Sequence, residues 1–186
     1  LNATEIRRGM VLNVEGSLFL VTEFQHITPG NWRAMVQAKL KNLKTGKIVQ
    51  QRFRSTDSID AAFLEMKNME YLYQDGENYC FMDTQSYDQV MLSKDVVGEA
   101  MQYVVPNSQV KITFHEGKAL SIDLPSAVVL KVTKTDPGVK GDTVTNVFKP
   151  ALLETGLEVK VPLFLKTGDK VKVDTRTGEF LERAND

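Results

Sequence analysis

The chain has 186 residues, 42% hydrophobic and 25% charged, with 23 basic against 24 acidic residues and a formal net charge of −1. That length allows buried cores, the composition excludes a disordered tail protein, and the charge balance argues against wholesale non-specific binding of nucleic acid. A single cysteine, Cys80, excludes an intrachain disulfide and points to a reducing cytoplasm; no apolar stretch approaches the roughly 18 residues that span a bilayer, and no signal peptide opens the chain.

Almost every segment predicts short strands punctuated by turns. Residues 10–14 and 17–24 flank Glu15–Gly16, and residues 33–42 and 48–54 flank Thr45–Gly46, the spacing of β-hairpins. Met35, Val36, Ala38 and Leu40 interleave with polar residues as in a barrel strand with one wet face, so the first third predicts a compact barrel ending near Leu64. Residues 69–74 and 77–83 flank a turn at Asp75–Gly76, and residues 111–115 and 118–123 flank Glu116–Gly117. Between these hairpins, residues 93–104 predict a helix capped by Ser93, with Val96, Val97, Ala100 and Val104 on one face. Strands with one short helix predict a five-stranded barrel of the oligonucleotide-binding type. The last third places strands at 128–133, 158–162 and 170–174, with Gly138, Gly141, Gly156, Gly168 and Gly178 between them and Pro125 marking a short junction. Barrels this small have little core each, so packing between them is expected to contribute; residue identity between the last two thirds is too weak to define a repeat.

Charge is spread unevenly. Residues 1–64 carry nine basic and five acidic side chains, residues 65–126 four and ten, and residues 127–186 ten and nine. A basic first third and an acidic middle present different faces to a partner, unless the scatter is incidental.

No catalytic constellation emerges. His26 and His115 are the only histidines, nothing around Cys80 has zinc-ligand spacing, and no glycine-rich loop sits between a strand and a helix. Cys80, between Tyr79 and Phe81, reads as a buried structural thiol, His115 as a surface residue, and Asp75 and Glu77 as solvated turn residues. Neither a metal nor a cofactor is expected.

The segment His26-Ile27-Thr28-Pro29-Gly30-Asn31-Trp32-Arg33-Ala34 is more distinctive. Pro29 and Gly30 predict a type II turn with positive φ at the glycine. The only tryptophan, Trp32, follows beside Arg33, a pair suited to stacking on an unpaired base and pairing with phosphate; the competing reading folds Trp32 back as a cap on the barrel. His26 is placed to contact phosphate or base. Lys39, Lys41, Lys44, Lys47, Arg52 and Arg54 follow on two strands, either as a phosphate-contacting face or as the solvated side of alternating strands.

From Asp136 the sequence runs Asp-Pro-Gly-Val-Lys-Gly-Asp-Thr, then Lys149-Pro150-Ala151, Glu154-Thr155-Gly156, Val161-Pro162-Leu163-Phe164, Gly168-Asp169 and Val173-Asp174-Thr175-Arg176-Thr177-Gly178-Glu179. This resembles the C-terminal domain of the bacterial elongation factor P family, with Lys149, Ala151, Gly156, Val161, Pro162 and Gly168 at that family's signature positions. The resemblance continues through Ser55-Thr56-Asp57-Ser58, Tyr71-Leu72-Tyr73 and Phe81-Met82-Asp83. It implies an all-β chain: an SH3-like (KOW-like) N-terminal barrel over 1–64 with a tip hairpin, then OB-fold barrels over 65–126 and 127–186, in an L-shaped, tRNA-like outline. It also implies a cytoplasmic, monomeric, non-enzymatic factor that uses no cofactor and does not engage membranes. Such a factor binds the ribosome, touching both subunits and ribosomal RNA between the P and E sites, and relieves stalling at consecutive prolines by positioning peptidyl-tRNA in the P site. The implied tRNA-facing tip is Pro29, Gly30, Asn31, Trp32 and Arg33, with His26, Lys39, Lys41, Arg52 and Arg54 as further candidate RNA contacts. Asn31 departs from the family, which presents a modifiable lysine or arginine there; Arg33 is the nearest cation. Two alternatives stay open: a paralogue with another ribosomal task, and a free-standing RNA-binding module, against which the acidic middle third counts.

Overall fold

The computed structural model describes residues 1–30, 33–137 and 147–184. The fold is all-β, in three curled, five-stranded antiparallel sheets, and the chain divides into two compact units, Leu1–Glu65 and Met66–Asp186.

The first unit holds one sheet. Its strands are β1 (Val11–Val14), β2 (Ser17–Ile27), β3 (Met35–Asn42), β4 (Ile48–Arg54) and β5 (Asp60–Ala62), ordered β4-β3-β2-β1-β5. Alternation on β3 drives the curl: Val36, Ala38 and Leu40 are buried, and Phe53 of β4 joins them opposite Val36. Ile6, Leu12, Val21 and Ile59 complete that core.

The second unit holds two sheets. The central one comprises β6 (Glu65–Asp75), β7 (Asn78–Asp83), β8 (Gln89–Ser93), β9 (Gln109–His115) and β10 (Lys118–Asp123), ordered β10-β9-β6-β7-β8. The hairpin between β6 and β7 is shifted by one residue from expectation: Asp75 pairs with Asn78, so the loop is Gly76–Glu77 and not Asp75–Gly76. The helix predicted over 93–104 is reduced to α1 (Lys94–Val97) and a 3-10 turn over Gly98–Gln102. Gly98 breaks it by taking φ 53, and Ser93, although at the capping position, makes no capping bond through its side chain. The predicted apolar face still finds the core at Val97 and Val104, whereas Val96 and Ala100 are only partly buried.

The remaining sheet comprises β11 (Ala127–Thr135), β12 (Phe148–Leu153), β13 (Glu158–Pro162), β14 (Lys170–Asp174) and β15 (Phe180–Arg183), ordered β13-β12-β11-β14-β15. Gly138 and Gly141, expected at turns, lie outside the described residues. The two sheets of this unit are joined by packing, as small barrels require. Tyr103 and Val105 pack against the core of the last sheet; Thr155 Oγ1 donates to the Gln102 carbonyl, and Thr175 Oγ1 to the Pro125 carbonyl at 2.6 Å.

One six-residue turn recurs in all three sheets, joining β3 to β4 (42–47), β7 to β8 (83–88) and β14 to β15 (174–179). The first residue's side-chain oxygen accepts the backbone N–H groups two and three residues on. These are Lys44 and Thr45 at Asn42 (2.8 and 3.0 Å), Gln85 and Ser86 at Asp83 (2.8 and 3.3 Å), and Arg176 and Thr177 at Asp174 (2.7 and 3.2 Å). The fourth residue, Thr45, Ser86 or Thr177, accepts the N–H of the sixth through its hydroxyl. The fifth takes a left-handed conformation, with φ 73 at Gly46, 63 at Tyr87 and 74 at Gly178. Only the Asn/Asp and Ser/Thr positions are shared by all three, which is why residue identity does not reveal a repeat.

Candidate nucleic-acid interface

The outer face of the first sheet collects four of the six predicted cations; Lys44 and Lys47 lie in the turn between β3 and β4 and not on the strands. Residues that alternate with the buried Val36, Ala38 and Leu40 must face away from the core. The register places them in cross-strand rows: Leu20, Lys41 and Ile48; Glu23, Lys39 and Gln50; Gln25, Gln37 and Arg52; Ile27, Met35 and Arg54. Lys39, Lys41, Arg52 and Arg54 therefore share one face of two neighbouring strands. Lys39 Nζ lies 2.7 Å from Glu23 Oε2, and this bond and charge hold the Glu23 carboxyl below its ordinary value of 4.5. Among the described residues, Lys41, Arg52 and Arg54 form no ion pair and remain available to anions.

Three glutamines that no sequence motif singles out share this face. Gln25, Gln37 and Gln50, with Glu23, Phe24 and Lys39, line a groove of about 410 Å³. Amides carry both donors and acceptors, so the face combines cations able to pair with phosphate and groups able to bond base edges or ribose hydroxyls. The alternation of β3, with Gln37 between the buried Val36 and Ala38, is the available signal; β4, with burial confined to Phe53, offers none.

His26 falls elsewhere. It opposes the buried Val36, on the face that carries Phe24, and meets the Phe24 ring edge-on at 5.9 Å. Arg7, which no sequence pattern singles out, sits over the other end of this pair, 5.6 Å from the Phe24 centroid. The structure thus brings four of the five candidate RNA contacts together and separates the fifth.

At the tip, Thr28, Pro29, Gly30, Arg33 and Ala34 are exposed, while Asn31 and Trp32 lie outside the described residues. Arg33 precedes the first residue of β3 and belongs to the loop. The type II turn expected at Pro29–Gly30 is not formed: Gly30 does not adopt positive φ, which that turn type requires at its third residue.

The other candidates are structural. Cys80 is 1% exposed, with Sγ 3.6 Å from Gln89 Oε1, and His115 is half-buried at the end of β9 rather than solvated. Among the signature residues, Ala151 and Val161 are core, and Lys149, also buried, donates to the Asp136 carbonyl. Gly156 and Gly168 turn the chain at φ 88 and 96, and Pro162 ends β13 half-buried. Among the described residues no group of three or more His, Cys, Asp or Glu side chains could hold a metal, and no helix is long and apolar enough to cross a membrane. A cleft of about 1000 Å³ in the second unit, lined by Tyr71, Tyr79, Asp95, Glu99, Glu154 and Thr155 among others, includes none of the predicted site residues.

Comparison with known proteins decides the family. Residues 2–59 match the family model described as the elongation factor P KOW-like domain, residues 64–122 the elongation factor P OB domain, and residues 128–183 the elongation factor P C-terminal domain. The chain belongs to the elongation factor P family. It is 48% identical over 181 residues to the elongation factor P of Caldanaerobacter subterraneus, covering 97% of this chain and 98% of that one. The elongation factor P of Leifsonia xyli is 45% identical over 185 residues, covering 100% and 99%. Among solved structures, a translation initiation factor eif-5a family protein from Naegleria fowleri aligns with TM-score 0.55 at 12% identity, over 67% of this chain and 96% of that one. Eukaryotic translation initiation factor 5A from Methanococcus jannaschii aligns with TM-score 0.50 at 17% identity, over 66% and 92%. These two likenesses speak to fold alone. As an elongation factor P, the chain is a translation elongation factor. Of the signature residues, Lys149, Ala151 and Val161 are buried, and Gly156 and Gly168 lie in turns.

Proposed function

We propose that this elongation factor P binds the ribosome between the P and E sites and stimulates peptide-bond formation at stalled polyproline sequences by positioning peptidyl-tRNA. In this reading it acts as a cytoplasmic monomer of three domains, 1–64, 65–126 and 127–186. The observation that carries the reading is the outer face of β3 and β4, where Lys39, Lys41, Arg52 and Arg54 lie together on the sheet whose β2–β3 loop bears Arg33. Cations on the sheet hold phosphates and so fix orientation; the loop then reaches toward the reacting end of the tRNA.

Proline is a rigid, poor nucleophile, and a factor that only fixes geometry can recover part of the barrier as orientation entropy. The ribosome supplies the bond-making groups, so the factor needs no nucleophile, base or metal of its own. With Asn31 at the tip position, a long charged side chain is missing there, and Trp32 and Arg33 take over contact with the tRNA end. Trp32→Ala and Arg33→Ala should each lower polyproline synthesis in a reconstituted translation system about tenfold, the effect of removing one orienting interaction, while ribosome affinity stays near the parent's. Full polyproline synthesis by both variants would remove the tip from the mechanism.

A further inference from the structure

The recurring turn carries glycine at its left-handed position in two sheets and tyrosine in the third, Tyr87 at φ 63. That conformation crowds a Cβ against the following carbonyl, and only glycine avoids the strain at no cost. Because the three turns share their hydrogen bonds, Gly46 and Gly178 show what the turn itself needs. Tyr87 gains nothing visible in exchange. Tyr87 is 70% exposed, and among the described residues it makes no ring contact or side-chain hydrogen bond. Among the described non-glycine residues with positive φ, Glu15, Tyr87, Asn107 and Glu116, Tyr87 is the one aromatic, and an exposed ring held in that conformation without an internal partner points to an external one.

The surroundings define that partner's charge. Asp83 and Asp88 begin and end the turn, and residues 65–126 carry ten acidic against four basic side chains. Lys67 acts on Asp83 from outside the turn, but residues 83–88 themselves carry two carboxylates and no cation, which disfavours a phosphate backbone at the ring. A guanidinium is favoured twice over, by stacking on the phenol ring and by pairing with a neighbouring carboxylate. Tyrosine and arginine are also the side chains that most often dominate protein interfaces. We propose that Tyr87 anchors a docking surface on the β7–β8 turn for an arginine-bearing polypeptide, separate from the RNA-facing sheet. This rests on the ribosomal reading only for one of its two probes.

Tyr87→Gly separates contact from fold, because it removes the ring and relieves the strain together. The full-chain variant should melt at or above the parent temperature and bind purified ribosomes about tenfold more weakly, as removal of an interface anchor does. Tyr87→Phe, which keeps the ring, should bind like the parent. In the free protein, an arginine-rich peptide should shift the Tyr87 ring resonances, and a single-stranded RNA oligonucleotide should not. Parent-like ribosome binding by Tyr87→Gly would overturn the proposal, as would ring shifts with RNA or with neither ligand. A parent chain that fails to bind ribosomes contradicts the ribosomal reading instead, and the peptide titration then decides this proposal alone.

Discussion

Asp83 and Asp174 each hold a turn through two backbone N–H donors, and those donors keep both carboxyls below their ordinary value of 3.8. A carboxyl depressed by folding favours the folded state while it is ionised. Its contribution is complete above the unfolded value and is lost as pH falls through the lower folded value. Glu23, depressed by Lys39, follows the same sign. Urea midpoints should therefore be flat from neutral pH to about pH 5 and fall in the range below about pH 4. Asp174→Asn, which keeps an acceptor without a charge, should flatten part of that fall; an equally steep fall in the variant would show that the turn carboxyl is not its source.

At the scale of elements, the sheet face makes the most direct prediction. Lys41, Arg52 and Arg54 stand on one surface without ion pairs among the described residues. Replacing all three with alanine should weaken ribosome binding and lower its salt dependence by roughly one unit of slope for each phosphate no longer neutralised. Binding measured across a salt series checks this, and an unchanged slope would mean that the face does not meet phosphate. The shared side of Lys39 and Lys41 is legible in the imperfect alternation of β3, whereas the turn position of Lys44 and Lys47 is not. Other elements were hidden for definite reasons. β12 escaped because Pro150 sits inside it; its pairing with β11 ends at Ala151, so Pro150 opposes only Lys160 on β13. The helix expected over 93–104 is shorter than the spacing of its valines implies, because Gly98 takes φ 53 and ends α1 after four residues. The Asp75–Gly76 signal gave the right hairpin in the wrong register. His26 lies two residues after Phe24 on the same strand face and follows it to the side away from the cations, a consequence of strand parity that its position beside a loop concealed.

For the molecule as a whole, charge is divided along the chain much as the fold is. The first unit carries the basic face and the tip loop, while the acidic residues 65–126 belong almost entirely to the second, whose two sheets are joined by Tyr103, Val105, Thr155 and Thr175. Family membership follows from all three matched segments, yet the residues that signal it most strongly in the sequence, Lys149, Ala151 and Val161, are buried and serve the last sheet. In the proposed function the working end belongs to the first unit, far along the sequence from the signature, and the protein accelerates bond formation where proline makes it slow. Rates of tripeptide formation on purified ribosomes, with and without the full chain, are the direct test of that role. Marked acceleration is expected for a third consecutive proline, and little change when phenylalanine replaces the prolines. Equal rates with and without the protein on the proline template would contradict it.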